Sequence, residues 1–96
     1  MTLIFLPPAE QELSEAIEFY NLQLSGLGNA FAKETFETLE LIKDFPLGWQ
    51  KISRHTHKSP LRRFPYLILY AVEEDSIIST AIAHQHRHPR SYLDRK

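Results

Sequence analysis

Apolar positions follow two different periods along these 96 residues, helical in the first half and extended in the second. Leu3-Ile4-Phe5-Leu6 is a short apolar run that Pro7 and Pro8 end, because proline fixes its own φ and has no N–H to give a ladder. This predicts a first strand. From Pro8 the spacing changes, with Glu10 and Glu12 where a helix dipole favours negative charge, then Leu13, Ala16, Ile17, Tyr20 and Leu24 at helical intervals. The pattern predicts an amphipathic helix ending near Ser25-Gly26, with Phe19 and Leu22 off its apolar stripe. Gly26-Leu27-Gly28 reads as a tight connection and Asn29 as the N-cap of a second helix. In that helix Phe31, Ala32, Leu39 and Ile42 share a face, Phe36 lies at its margin and Leu41 falls off it. Asp44-Phe45-Pro46 stops it.

After the Pro46-Leu47-Gly48-Trp49 turn, residues 61–64, 66–72 and 77–84 are rich in β-branched and aromatic side chains and predict three strands. Glu73-Glu74-Asp75 is a polar turn short enough to force the last two to pair antiparallel. The predicted order is β-α-α-β-β-β, an α+β fold. Two helices cannot bury their stripes on each other and leave the sheet bare, so the hairpin is expected to lie across one face of a four-stranded sheet. At 96 residues a single domain, 1–96, is expected, with neither repeats nor low-complexity segments.

Charge alters this picture more than composition does. The 43% hydrophobic, 11% aromatic and 24% charged residues are those of an ordinary globular protein. The net charge of −1 conceals an asymmetry. Residues 1–50 carry two lysines against eight carboxylates, and residues 51–96 carry nine basic groups against four carboxylates. Such a chain can present a positive face to a polyanion or an acidic partner, although the same split also arises from two solvated outer surfaces. The chain has no cysteine, which excludes disulfides, thiolate metal sites and a cysteine nucleophile, and a reducing cytoplasm fits. The N-terminal apolar run is too short for a signal segment or a membrane span, so neither export nor membrane insertion is expected. Three glycines supply no nucleophile elbow, Walker loop or dinucleotide fingerprint.

The candidate chemistry is concentrated in the basic half. Residues 51–72 contain Lys51, Arg54, Lys58, Arg62 and Arg63 without a carboxylate, interleaved with His55, His57, Tyr66 and Tyr70. A second cluster holds His84, His86, Arg87, His88, Arg90 and Tyr92. Cations mixed with rings suit a surface that meets phosphates and stacks on bases; a solvated sheet face is the bland alternative. His84, His86 and His88 alternate as ligands on a continuing strand could, but with arginines between them and no cysteine no metal site is expected. RNA cleavage through the 2′-hydroxyl needs a base, an acid and cations for the phosphorane, roles that His84 or His86, Tyr92 and Arg87 could fill.

Several of these segments resemble one family. Pro8-Ala9-Glu10 with Leu13, then Glu15-Ala16-Ile17-Glu18-Phe19-Tyr20, Gly26-Leu27-Gly28-Asn29-Ala30-Phe31, Arg63-Phe64-Pro65-Tyr66 with Tyr70, Ala81-Ile82-Ala83-His84 and Arg87-His88-Pro89 resemble the RelE/ParE superfamily of toxins from toxin-antitoxin modules. Members often carry the label plasmid stabilisation protein. The resemblance covers nearly the whole chain and implies the β-α-α-β-β-β fold, growth inhibition and a cognate antitoxin. RelE-like members cut mRNA on the ribosome with cations on the central strands and often a C-terminal tyrosine, whereas ParE-like members inhibit DNA gyrase. Lys58 and Arg87 match two cations of the nuclease pattern. Pro60 stands where a second lysine is expected and Leu67 where an arginine is expected, and Tyr92 is close to the C-terminal tyrosine. The balance tilts toward a ParE-like, non-nucleolytic toxin.

On that reading Arg62, Arg63, Arg87 and Arg90 are the expected target contacts, and Phe19, Leu22 and Leu41 the expected antitoxin contacts, unless a homodimer uses the same apolar patch. The enzyme alternative uses Lys58, Arg87, His84 and Tyr92. A third alternative is a degenerate member that binds its antitoxin without being toxic. No cofactor and no membrane partner are expected.

Overall fold

The computed structural model describes residues 1–95; Lys96, the last residue of the expected domain, lies outside them. The elements are β1 (Thr2–Phe5), α1 (Pro7–Gln23), α2 (Leu27–Asp44), β2 (His57–Pro60), β3 (Tyr66–Val72) and β4 (Ser76–His84), followed by two 3-10 turns at Pro89–Ser91 and Leu93–Arg95. The four strands form one sheet in the order β1-β4-β3-β2. β1 runs parallel to β4, and the other neighbours pair antiparallel. This is the predicted α+β arrangement, with the helical hairpin carrying the chain from β1 at one edge of the sheet to β2 at the other.

Alternation along β3 divides the core in two. Ile68 and Tyr70 face the helices and pack with Phe31, Leu39, Ile42, Ile77 and Ile82, all essentially inaccessible to water. Leu69 faces the other way, where Ala81, Ala83 and Tyr92 form a smaller cluster flanked by Ile52, Leu67 and Leu93. The C-terminal turns therefore cover part of the second face of the sheet, and β3 and β4 are buried on both sides.

Two local expectations are corrected. Asn29 does not cap α2, because the helix begins at Leu27 with Gly26 as its cap in the left-handed region, φ 89°. The free N–H of Gly28 is instead taken from outside the helix, by Asn21 Oδ1 of α1 at 2.7 Å, and Asn29 Oδ1 accepts from the same Asn21 amide. The second correction concerns residues 61–64, which form a turn, while the strand lies earlier, at His57–Pro60. The N–H groups of Arg62 and Arg63, which a strand would give to a ladder, both donate to Glu34 Oε2 of α2, at 2.5 and 3.2 Å. A helix carboxylate has displaced the sheet as acceptor.

β4 carries a bulge. Leu69 pairs with Ala81 and Tyr70 with Ser79, so Thr80 has no partner on β3. β1 pairs with β4 only as far as Ser79, which leaves residues 80–84 at an edge that α1 and the C-terminal turns reach.

Candidate functional site

Glu12 is the organising group at that edge. Its carboxylate accepts from the Ile82 N–H at 3.1 Å, from Arg95 at 2.8 Å and from the Arg87 guanidinium. Arg95 also donates to Thr80 O at 3.2 Å and to Ser91 O at 3.1 Å. The outward-facing backbone of β4 is thus closed by side chains rather than by a strand. Glu34 plays the equivalent part at the other end of the hairpin, adding a 3.0 Å ion pair with Arg63 Nε to its two backbone bonds.

Burial alone would raise both carboxyl groups. For Glu12 the hydrogen bonds from Arg95, Arg87 and the Ile82 N–H outweigh that penalty, and for Glu34 those from the Arg63 side chain and the Arg63 and Arg62 N–H groups do, so both sit below the ordinary carboxylate range. A carboxylate depressed in the folded state adds stability that is fully present above its unfolded value and is lost as pH falls through the folded one. The urea midpoint is therefore expected to stay level from pH 7 to about 5.5 and to drop below the unfolded carboxyl value near 4.5. The drop should be shallower in Glu34→Gln, followed through the fluorescence of the single tryptophan, Trp49.

Arg87 stands on the ridge between two recesses. On the helix side it lines a groove between α1 and the β4 edge, with Phe19, Tyr66, Ile82 and His84 in the walls. On the opposite side it lines a recess of about 300 Å3 that also holds Lys58, Leu67, Tyr92 and Leu93. Three of the four residues of the nuclease alternative, Lys58, Arg87 and Tyr92, therefore come together. His84 does not join Tyr92: its ring packs edge-on against Tyr66, with centroids 5.3 Å apart, in the groove on the helix side. Tyr92 is buried against Leu69 and the alanines of β4.

The histidine alternation does not carry past the strand, which ends at His84. His84 Nδ1 accepts from the His86 N–H at 3.2 Å and His88 Nδ1 from the Arg90 N–H at 3.1 Å, so each of these rings caps a turn. Of the four arginines expected to meet a target, Arg63 and Arg87 are ion-paired to acids of the first half, and Arg62, Arg63 and Arg90 are exposed. Arg62 lines a shallow recess with Glu34, Glu37, Thr38 and Leu41. Phe19, Leu22 and Leu41 are all exposed, but Phe19 belongs to the α1 groove and Leu41 to the Arg62 recess. Leu24, expected on the α1 stripe, is exposed because the helix ends at Gln23 and Leu24 turns extended, and Phe36, Phe45 and Leu47 are further exposed apolar side chains.

The result is a small α+β protein in which recesses open on both faces of one sheet and share a single arginine, Arg87. The family described as the ParE toxin of the type II toxin-antitoxin system, parDE, matches residues 3–89, and the chain belongs to that family. A solved structure of the chromosomal ParDE TA system from P. aeruginosa superposes with a TM-score of 0.74, covering 88% of this chain and 95% of that one. Identity to it is 15%, so the likeness is one of fold. No curated protein matches the sequence. Among the described residues no helix is long and apolar enough to cross a membrane.

Proposed function

We propose that this type II toxin arrests growth in the ParE manner, by acting on DNA gyrase in the cytoplasm without cutting nucleic acid, and that a cognate antitoxin chain silences it. One observation carries the choice of mechanism. Pro60 and Leu67, the two positions where the nuclease pattern has cations, are direct cross-strand partners on β2 and β3, and Leu67 lines the recess that holds Lys58 and Arg87. The uncharged positions are therefore adjacent, and Leu67 borders the recess in which a nuclease built on Lys58 and Arg87 would hold its phosphate. A phosphorane is more negative than its ground state, so cations missing there are missing from the transition state. The placement of His84 across the sheet from Tyr92 removes the base best suited to neutral pH from the same recess.

The mRNA endonuclease is kept as the second reading because Lys58, Arg87 and Tyr92 do meet. Induced expression separates the two. The ParE-like reading expects blocked replication and a DNA-damage response while reporter mRNA, mapped by primer extension, stays intact. Discrete codon-linked cuts that vanish in Arg87→Ala would reverse the ranking, and arrest with neither signal would contradict both. No arrest at all would favour the degenerate, antitoxin-binding member.

For the antitoxin, the exposed Phe19 and Leu22 on the outer side of α1 are the proposed contact, a surface suited to an amphipathic segment. Phe19→Asp and Leu22→Asp are each expected to weaken antitoxin binding by about tenfold or more, since losing a buried large apolar side chain costs roughly 1.5–3 kcal/mol. Titration calorimetry checks this, and parental affinity in both variants would place the contact elsewhere. A homodimer through the same face is the competing occupant, read out by sedimentation of the isolated toxin.

A further inference from the structure

Lys51, Arg54, His55 and His57 line a recess of about 370 Å3 at the outer strand β2, beside the end of β3 and beneath Leu47. It shares no residue with the α1 groove or with the Arg87 recess. His57 is its fixed part. The residue is 7% exposed, and its ring stacks on Tyr70 with centroids 5.1 Å apart and planes 12° from parallel. Tyr70 is fully buried and is itself anchored by its hydroxyl, which donates to Pro46 O at 2.8 Å. His57 Nδ1 lies 3.0 Å from Trp49 O. A carbonyl only accepts, so Nδ1 carries the proton of that bond and Nε2 is the nitrogen left to meet a ligand.

Around this ring the charge is one-sided. Glu73 is the single carboxylate in the lining, against a lysine, an arginine and two imidazoles. The ion pairs among the described residues use Lys43, Arg63, Arg87 and Arg95, and neither Lys51 nor Arg54 takes part in one. A buried, oriented imidazole beside an ammonium and a guanidinium offers a planar fork, a point charge and a fixed third group, a set that suits a tetrahedral oxyanion.

We propose that this recess binds a phosphate group, free or at the end of a nucleotide, with Lys51 and Arg54 on its charged oxygens and His57 Nε2 on a third. A neutral Nε2 accepts from a protonated phosphate oxygen and an imidazolium donates to an ionised one, so either form of the ring completes the site. The inference does not depend on which macromolecule the toxin strikes.

The test is a nuclear magnetic resonance titration of the purified full-length toxin with inorganic phosphate, at constant ionic strength set with potassium chloride. The expected result is a saturable displacement of the His57 ring signals and of the 51–57 amides. Lys51→Ala and Arg54→Ala, both exposed positions whose replacement leaves the core intact, should each weaken binding by about tenfold. Lys33→Ala, on the surface of α2, should bind like the parent. Adenosine monophosphate and adenosine form the second arm. Tighter binding of the monophosphate than of free phosphate assigns a nucleotide end, and equal binding assigns the free anion. Displacements that do not saturate, that centre on Lys58 and Arg87, that survive in both variants, or that adenosine reproduces would overturn the proposal.

Discussion

Gly28→Ala is expected to lower the thermal midpoint by about 10–25 °C, the equivalent of roughly 3 kcal/mol in a domain of this size. An ordinary glycine near a helix start gains stability when a methyl group is added, because the unfolded chain loses freedom. Here the opposite sign follows from the crossing of the two helices. A Cβ at Gly28 would stand 2.1 Å from Ile17 O and 2.6 Å from Asn21 Cγ. The first of these atoms is helix backbone, which has no rotamer to escape into, so α1 as a whole must move away. That movement also breaks the 2.7 Å bond by which Asn21 satisfies the Gly28 N–H. Differential scanning calorimetry gives the midpoint, and a variant as stable as the parent would mean that the helices do not approach this closely.

The second large effect belongs to Glu34. Glu34→Ala should cost about 2–4 kcal/mol, because it strips the acceptor from two backbone N–H groups and leaves them in a turn packed between Leu61 and Phe64 of the core. The ion pair accounts for little of this. The Arg63 side chain is 62% exposed, and a pair with one partner in solvent contributes no more than about 1 kcal/mol. Arg63→Ala alone should therefore lose less than about 1 kcal/mol, and Glu34→Gln, whose amide oxygen can still accept from the backbone, should fall between the two. Urea unfolding of the three variants orders them. If Arg63→Ala proves as costly as Glu34→Ala, the ion pair and not the backbone is what Glu34 holds.

Much of the architecture could be read from the periodicity alone. The 3.6-residue stripe of α1, the polar turn before β4 and the β-branched runs of β3 and β4 are strong local signals with no tertiary competitor. The misplaced strand had one. Leu61 to Phe64 reads as extended because an apolar residue stands at each end and a proline follows, yet its N–H groups are claimed by a residue 28 positions earlier in the chain, and no local pattern reports a contact of that length. A signal for it was nevertheless present. Glu12 lies three residues after Ala9 and four before Ala16, and Glu34 lies three after Phe31, so both carboxylates fall on the apolar stripes of their helices. A carboxylate on a buried face must find donors, and the basic half of the chain supplies them. The asymmetry between an acidic first half and a basic second half is in part this internal pairing, through Glu12 with Arg87 and Arg95 and Glu34 with Arg63.

The site was legible in its pieces and not in their sides. Lys58, Arg87 and Tyr92 meet as their positions suggested, but the face on which His84 projects depends on the bulge at Thr80, which shifts the alternation of β4 by one residue. Likewise Phe19 and Leu41, both off-stripe on one helical hairpin, line different recesses because the two helices turn different outer faces to solvent.

Purified components separate the proposed action on gyrase from an action on RNA. Supercoiling of relaxed plasmid by DNA gyrase should be inhibited by the isolated toxin in a dose-dependent way, restored by its cognate antitoxin, and less inhibited by Arg87→Ala. Undisturbed supercoiling at a toxin concentration that arrests growth, together with cut mRNA on programmed ribosomes, would contradict it.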